Sequence, residues 1–206
     1  MKSFKQFFVE QNKPSKSIVF AYGRFNPPTI GHEVVIKKVI DTAAKMNAEY
    51  AIIPSHGTTP KYKNPLSLQE KIGLLQYMVS DPSKVKDFGT TFIDVLKKFY
   101  QMGYTHVIQI AGSDRKPEFL ALVNKYNGKP DPTTGNVDFN FNTFEVISSG
   151  ERDPDSEDVE GMSASKLRAL AVKGDFDNFS QGMSPKIPKP LKKTIFNIIR
   201  KKLIKQ

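Results

Sequence analysis

The sequence predicts an α/β protein: a parallel β-sheet with helices on both of its faces. Three observations carry that expectation. Short apolar runs alternate with amphipathic stretches of ten or more residues, the pattern of strand–helix–strand units. Glycine or proline ends several of the runs, as at Gly23, Pro54 and Gly112. No repeat period or low-complexity tract argues for another architecture.

In chain order, Phe4, Phe7 and Phe8 stand at helical spacing with Lys2 and Lys5 opposite, and Gln11 to Ser17 reads as a polar linker. Ser17 to Tyr22 is a buried strand, and Gly23 to Ile30, with two prolines, is a loop. A helical stripe follows through Val34, Val35, Lys38, Val39, Thr42 and Ala43. Ala51 to Pro54 is a second strand, and Ser55 to Pro65 a polar loop. Ser67 and Glu70 form a capping box for a helix that buries Leu68, Ile72, Leu75 and Met78. Val85 to Phe88 is expected as a third strand and Phe92 to Met102 as a helix. The strand His106 to Ala111 ends at Gly112-Ser113-Asp114, and Pro117 to Tyr126 returns as helix. Asn127 to Asn136 reads as a flexible insertion, Phe139 to Ile147 alternates as a strand, and Ser149 to Gly161 is an acidic loop. Ser163 starts a further helix, and Leu191, Ile195, Ile198, Ile199 and Leu203 give a last apolar stripe.

The chain has 206 residues, no cysteine and three histidines, His32, His56 and His106. Disulfides, thiolate zinc sites and a cysteine nucleophile are thereby excluded, and a multi-histidine metal centre is not expected. No apolar run reaches the roughly 18 residues of a membrane span, so no span is expected. The net charge of +10 is concentrated in the ends. Lys186 to Gln206 holds eight basic residues and no acidic one, and Met1 to Lys16 four basic and one acidic. Between Ser17 and Pro185, 19 basic residues face 20 acidic ones. This divides the chain into an N-terminal appendage (1–16), one domain (17–185) and a basic amphipathic C-terminal helix (186–206). Packing of that helix on the domain is the simplest reading of its lysines, with nucleic acid or an anionic surface as the sharper one.

In folds of this class ligands bind at the carboxyl ends of strands, where the loops at Gly23 and Gly112 lie. Gly23 to His32 is the most informative segment. Gly23 lets the backbone approach a ligand, and Pro27 and Pro28 stiffen the loop. Gly31 opens a helix whose free amides suit an anion, with Thr29 and His32 beside them. A triphosphate fits that arrangement.

Thr29-Ile30-Gly31-His32 resembles the His/Thr-x-Gly-His signature of the nucleotidylyltransferase superfamily, with Gly23-Arg24-Phe25 matching its approach. Gly161-Met162-Ser163-Ala164-Ser165-Lys166-Leu167-Arg168 resembles the late ISSTxxR motif, with Ala164 interrupting the serine run. Pro60-Lys61 with Asn64 to Ser67, and Gly112-Ser113-Asp114, are similar to intervening family segments, so the resemblance spans about Ser17 to Asp175. It implies a Rossmann-like fold and transfer of a nucleotidyl group from a nucleoside triphosphate to a phosphate-bearing acceptor, with Mg2+ bridging the phosphates. ATP with nicotinamide mononucleotide is the favoured pair, CTP the alternative donor, and a non-catalytic binding module the alternative class.

By the same resemblance His32 contacts the α-phosphate, Thr29 the neighbouring phosphates, and Ser163, Ser165 and Arg168 the β and γ oxygens. Gly23, Arg24, Phe25, Gly31, Asp114 and Met162 complete the nucleotide site, and Lys61 or Lys63 binds acceptor or donor phosphate. Asp114 is equally readable as a turn residue of its own loop. Met1 to Glu10 resembles the capsid-targeting peptides of tailed bacteriophages, cut after a glutamate that follows an apolar residue by two positions, here Glu10 after Phe8. That resemblance implies a virus-encoded enzyme of the host cytoplasm or the virion.

Overall fold

The computed structural model describes residues 16–150 and 162–204. Four parallel strands form one sheet in the order β2-β1-β3-β4. They are β1 (Lys16–Gly23), β2 (Glu49–Pro54), β3 (Tyr104–Ala111) and β4 (Thr143–Ser148). Seven α-helices are described: α1 (Ile30–Lys45), α2 (Leu68–Gln76), α3 (Phe92–Gln101) and α4 (Lys116–Tyr126), then α5 (Ala164–Lys173), α6 (Phe176–Gln181) and α7 (Lys189–Ile204). The architecture is the Rossmann-like α/β fold expected, with all-parallel strands buried on both faces.

Side chains alternate across the sheet with the strand period of two. Val19 and Ala21 of β1, Ile52 of β2 and Ile108 and Ile110 of β3 face α1, α2, α5, α6 and α7. Ile18, Phe20, Ala51, Ile53 and Val107 face α3 and α4 in a core rich in aromatic rings. Phe20 meets Phe99 edge-on, with ring centroids 4.9 Å apart.

The structure corrects several sequence expectations. Val85 to Phe88 is not a strand. Val85 makes one isolated parallel bridge to Ile52, and the positive φ of Gly89 stops the pairing. Phe139 and Phe141 are buried but precede β4, because the Asn127 side-chain amide takes both the Phe141 N–H (2.8 Å) and its carbonyl (3.1 Å). The stretch Asn127 to Asn136 is closed on itself: the Asp131 carboxylate accepts from the Thr133 and Thr134 amides, and the Asp131 N–H bonds the Asn136 carbonyl. On α1 the buried stripe is Ile36, Val39 and Ala43, while Val34 is exposed. On α2 Lys71 and Leu74 join Leu75 in the interior.

The C-terminal helix is no appendage. Ile195, Phe196 and Ile199 of α7, with Ile187 before it, lie in the same core as Val19 of β1. Its cations are largely engaged. Lys186 pairs with Glu33 at 3.1 Å and Lys202 with Glu70 at 3.6 Å. Buried Lys192 donates to the Ser180 and Met183 carbonyls, and Lys193 sits 4.2 Å from the centre of the Phe176 ring. The N-terminal peptide read as a capsid-targeting signal (1–15) and the acidic loop at 151–161 fall outside the described residues. Among the described residues no helix is long and apolar enough to cross a membrane.

Candidate active site

The loop from β1 to α1 and the start of α5 meet above the carboxyl ends of β1 and β3, around a cleft of about 620 Å³. Thr29 caps α1, and His32 is the third residue of the helix. The Thr29 N–H donates to Nδ1 of His32 at 3.0 Å, and the Thr29 hydroxyl lies 2.9 Å from the same nitrogen. A backbone N–H can only donate, so Nδ1 accepts and neutral His32 carries its proton on Nε2. This is a capping box in which histidine replaces the usual glutamate.

Thr29 is fully buried, its hydroxyl also accepts the His32 N–H at 3.3 Å, and it is not among the residues lining the cleft. These contacts place Thr29 where it can orient His32. The Ile30 N–H bonds the Gly182 carbonyl. Of Ile30, Gly31 and His32, only the Gly31 amide has no partner among the described residues. The helix start thus offers fewer free donors than expected.

Gly23 and Phe25 serve the same histidine. The Phe25 ring is buried with its centroid 4.9 Å from that of His32. A Cβ on Gly23 would come 3.3 Å from the Phe25 ring, so glycine leaves room for that contact. Phe25 itself has φ +45, an uncommon conformation for a residue other than glycine.

Across the cleft, Ser163 caps α5 by accepting the Lys166 N–H at 3.1 Å. Ser163, Ala164, Ser165 and Arg168 all line the cleft. Arg168 donates to the Asn26 carbonyl at 2.7 Å and to the Ser165 hydroxyl at 2.9 Å. Burial, then the nearby Arg24 cation, holds the Arg168 guanidinium below its ordinary pKa. Arg24 and Arg168 converge in a cleft whose one described carboxylate is Asp114, leaving an excess of positive charge suited to an anion.

The remaining candidates divide. Gly31, Arg24, Lys63 and Asp114 line the cleft. Asp114 also lies close enough to Gly112 that a Cβ there would meet its carboxylate at 2.6 Å. Lys61 does not line the cleft, whereas Lys63 does. Met162 lies outside the lining as well, packed against Gly182, where a Cβ would approach its Cγ to 2.7 Å. His56 pairs with Asp87 at 2.6 Å outside the cleft.

Three contributors escaped the sequence reading. Asn26 is buried, and its amide makes a two-way pair with the Leu66 main chain, 3.1 Å to the carbonyl and 2.9 Å from the N–H. Ser55 lines the cleft, and its N–H donates to the Gly23 carbonyl at 2.7 Å. Lys71 is buried beneath Ser55 and donates to its carbonyl. A lysine at a core position of α2 was the one available sign.

The cytidylyltransferase-like family model matches residues 20–169, a span that includes both motif segments. The chain belongs to this family. As a cytidylyltransferase-like protein it is a nucleotidylyltransferase, and residues of both motif segments line the cleft. No curated protein sequence matches the chain. Similar solved structures include a protein assigned as a nicotinate-nucleotide adenylyltransferase from Vibrio parahaemolyticus. It is 16% identical with a TM-score of 0.54, over 88% of this chain and 99% of that one. The nicotinic acid mononucleotide adenylyltransferase of Plasmodium falciparum, complexed with NaAD, is 17% identical with a TM-score of 0.53, over 89% and 98%. At such identities the likeness is one of fold.

Proposed function

We propose that this cytidylyltransferase-like protein transfers AMP from ATP to the phosphate of nicotinamide mononucleotide, giving NAD and pyrophosphate. One observation carries the reading: the oriented His32 imidazole, the α5 N-terminus and the Arg24–Arg168 pair share a single cleft. The Gly23-Arg24-Phe25 and Ser163 segments, and the adenylyltransferase neighbours, favour ATP and a pyridine mononucleotide.

An acceptor phosphate oxygen attacks the α-phosphorus in line, and the bond from that phosphorus to the β-phosphate oxygen breaks. The Nε2–H of His32 donates to a non-bridging α-phosphate oxygen as charge builds there. Arg168, held by Asn26 and Ser165, directs its remaining donors to the leaving pyrophosphate, joined by Ser163 and the open α5 amides. Arg24 and Lys63 offset further phosphate charge. Because reactants are held and no covalent intermediate is needed, positioning supplies much of the acceleration.

Among the described residues no cluster of three carboxylate, imidazole or thiol groups forms a resident metal site, and Asp114 is the one described carboxylate lining the cleft. Those residues fit a Mg2+ that arrives on the triphosphate, with Asp114 as the available protein oxygen donor. When bound, the ion neutralises phosphate oxygens.

Pyrophosphate release measured for ATP and CTP, each against nicotinamide mononucleotide, nicotinate mononucleotide and phosphorylated alcohols, tests the reading. Fastest turnover is expected with ATP and nicotinamide mononucleotide. The family match favours CTP as the second reading, and turnover with CTP alone would select it. Absence of turnover with every pair, in folded protein, defeats both.

A further inference from the structure

We propose that Lys71 is a positioning residue for the transfer site: its buried ammonium clamps the Ser55 carbonyl and thereby sets the loop that carries His32. This rests on the site assignment above, though not on the identity of either substrate.

Lys71 is 1% exposed, on α2, outside both sequence motifs. Its side chain donates to the Ser55 carbonyl. The Ser55 N–H donates in turn to the Gly23 carbonyl at 2.7 Å, Gly23 abuts the Phe25 ring, and that ring packs at a tilt against His32 with centroids 4.9 Å apart. The Asn26–Leu66 pair makes a parallel link from the same loop to the residue preceding the α2 cap. The catalytic loop is therefore tied to α2 at two points, one of them a cation.

A fold that needed only volume at position 71 would gain from leucine or methionine, since burying an ammonium opposes folding. Burial alone lowers the Lys71 pKa, to about 8. Its neighbour on α2, Glu70, is engaged by the Ser67 N–H and by Lys202. His56, next to Ser55, is held by Asp87.

Nitrogen NMR of the histidine side chains, combined with kinetics, tests this on the whole chain. In Lys71→Met the His32 imidazole signals should move while those of His106, at the amino end of the sheet, stay. kcat should fall about 100-fold with KM changed far less, the signature of misplacement. Lys71→Arg should recover part of the rate. In wild-type protein, which removes any dependence on folding of the variant, the His32 signals should shift with a midpoint near pH 8. Unmoved His32 signals in both experiments overturn the proposal, even if turnover is normal. Absence of turnover in wild type, with His32 responding, would instead refute the function and leave the positioning intact.

Discussion

Arg168 donates to the main-chain carbonyl of Asn26 at 2.7 Å, bridging residues 142 positions apart in sequence. The two motif segments are therefore joined directly, through the one Asn26 group that its side-chain pairing with Leu66 leaves unused. The bond aims the guanidinium before substrate arrives. Its cost is a partly buried cation beside Arg24.

Arg168→Ala should accordingly separate function from stability. Loss of a preorganised donor to developing phosphate charge is expected to lower kcat/KM about 100-fold. Unliganded stability should change by no more than about 1 kcal/mol, since relief of the cation's burial and of the Arg24 repulsion offsets the two lost hydrogen bonds, to Asn26 and Ser165. Thermal melts with tripolyphosphate provide the check. The ligand should raise the Tm of wild type clearly more than that of the variant.

Thr29→Ala should cost about 1 kcal/mol as a lost helix cap and about tenfold in kcat as the imidazole loses its anchor. Thr29→Ser keeps the hydroxyl and should retain most of both. Paired urea denaturation and steady-state kinetics distinguish this from direct phosphate binding by Thr29. Direct binding would show chiefly as a raised KM.

The parallel sheet with helices on both faces, the Ser67 and Ser163 helix caps and the cleft's two motif walls follow from local signals that one sequence carries. Ser67 and Glu70 form the capping box their spacing implies, and Ser163 caps α5. What escaped depends on who meets whom across the fold. The burial of the Thr29 hydroxyl against His32, and the placing of Lys63 but not Lys61 along the cleft, depend on the folded chain. Phe139 and Phe141 alternate like a strand, but Asn127 reaches across 14 positions to occupy the Phe141 backbone. The last helix packs on the domain as its apolar stripe implies, but its ion partners Glu33 and Glu70 lie far away in sequence and are not legible there.

Asn26→Leu would fill the same buried space without either hydrogen bond. It would strand the Leu66 N–H and carbonyl, each costing about 1–3 kcal/mol when buried unpaired. A downward shift in the urea midpoint with unchanged slope is expected, together with loss of activity, because the loop that presents the Asn26 carbonyl to Arg168 is no longer pinned to Leu66. Stability close to wild type would mean that water satisfies Leu66.

Lys71 also predicts how stability varies with pH. Its folded pKa is lowered to about 8 from the ordinary 10.5. Below pH 8 both folded and unfolded chains carry the proton, and the folded state bears the full cost of a buried charge. Between about 8 and 10.5 the folded chain releases that proton while the unfolded chain keeps it, so this group's contribution to stability rises with pH. Lys71→Met has no such group. The variant should therefore be more stable relative to wild type at pH 7 than at pH 9.5, with the difference narrowing as pH increases. Urea denaturation of both proteins at several pH values measures the difference directly, cancelling the titrations they share. A difference that is flat across the range would mean that Lys71 keeps its proton throughout, held by water or by a rearranged carbonyl.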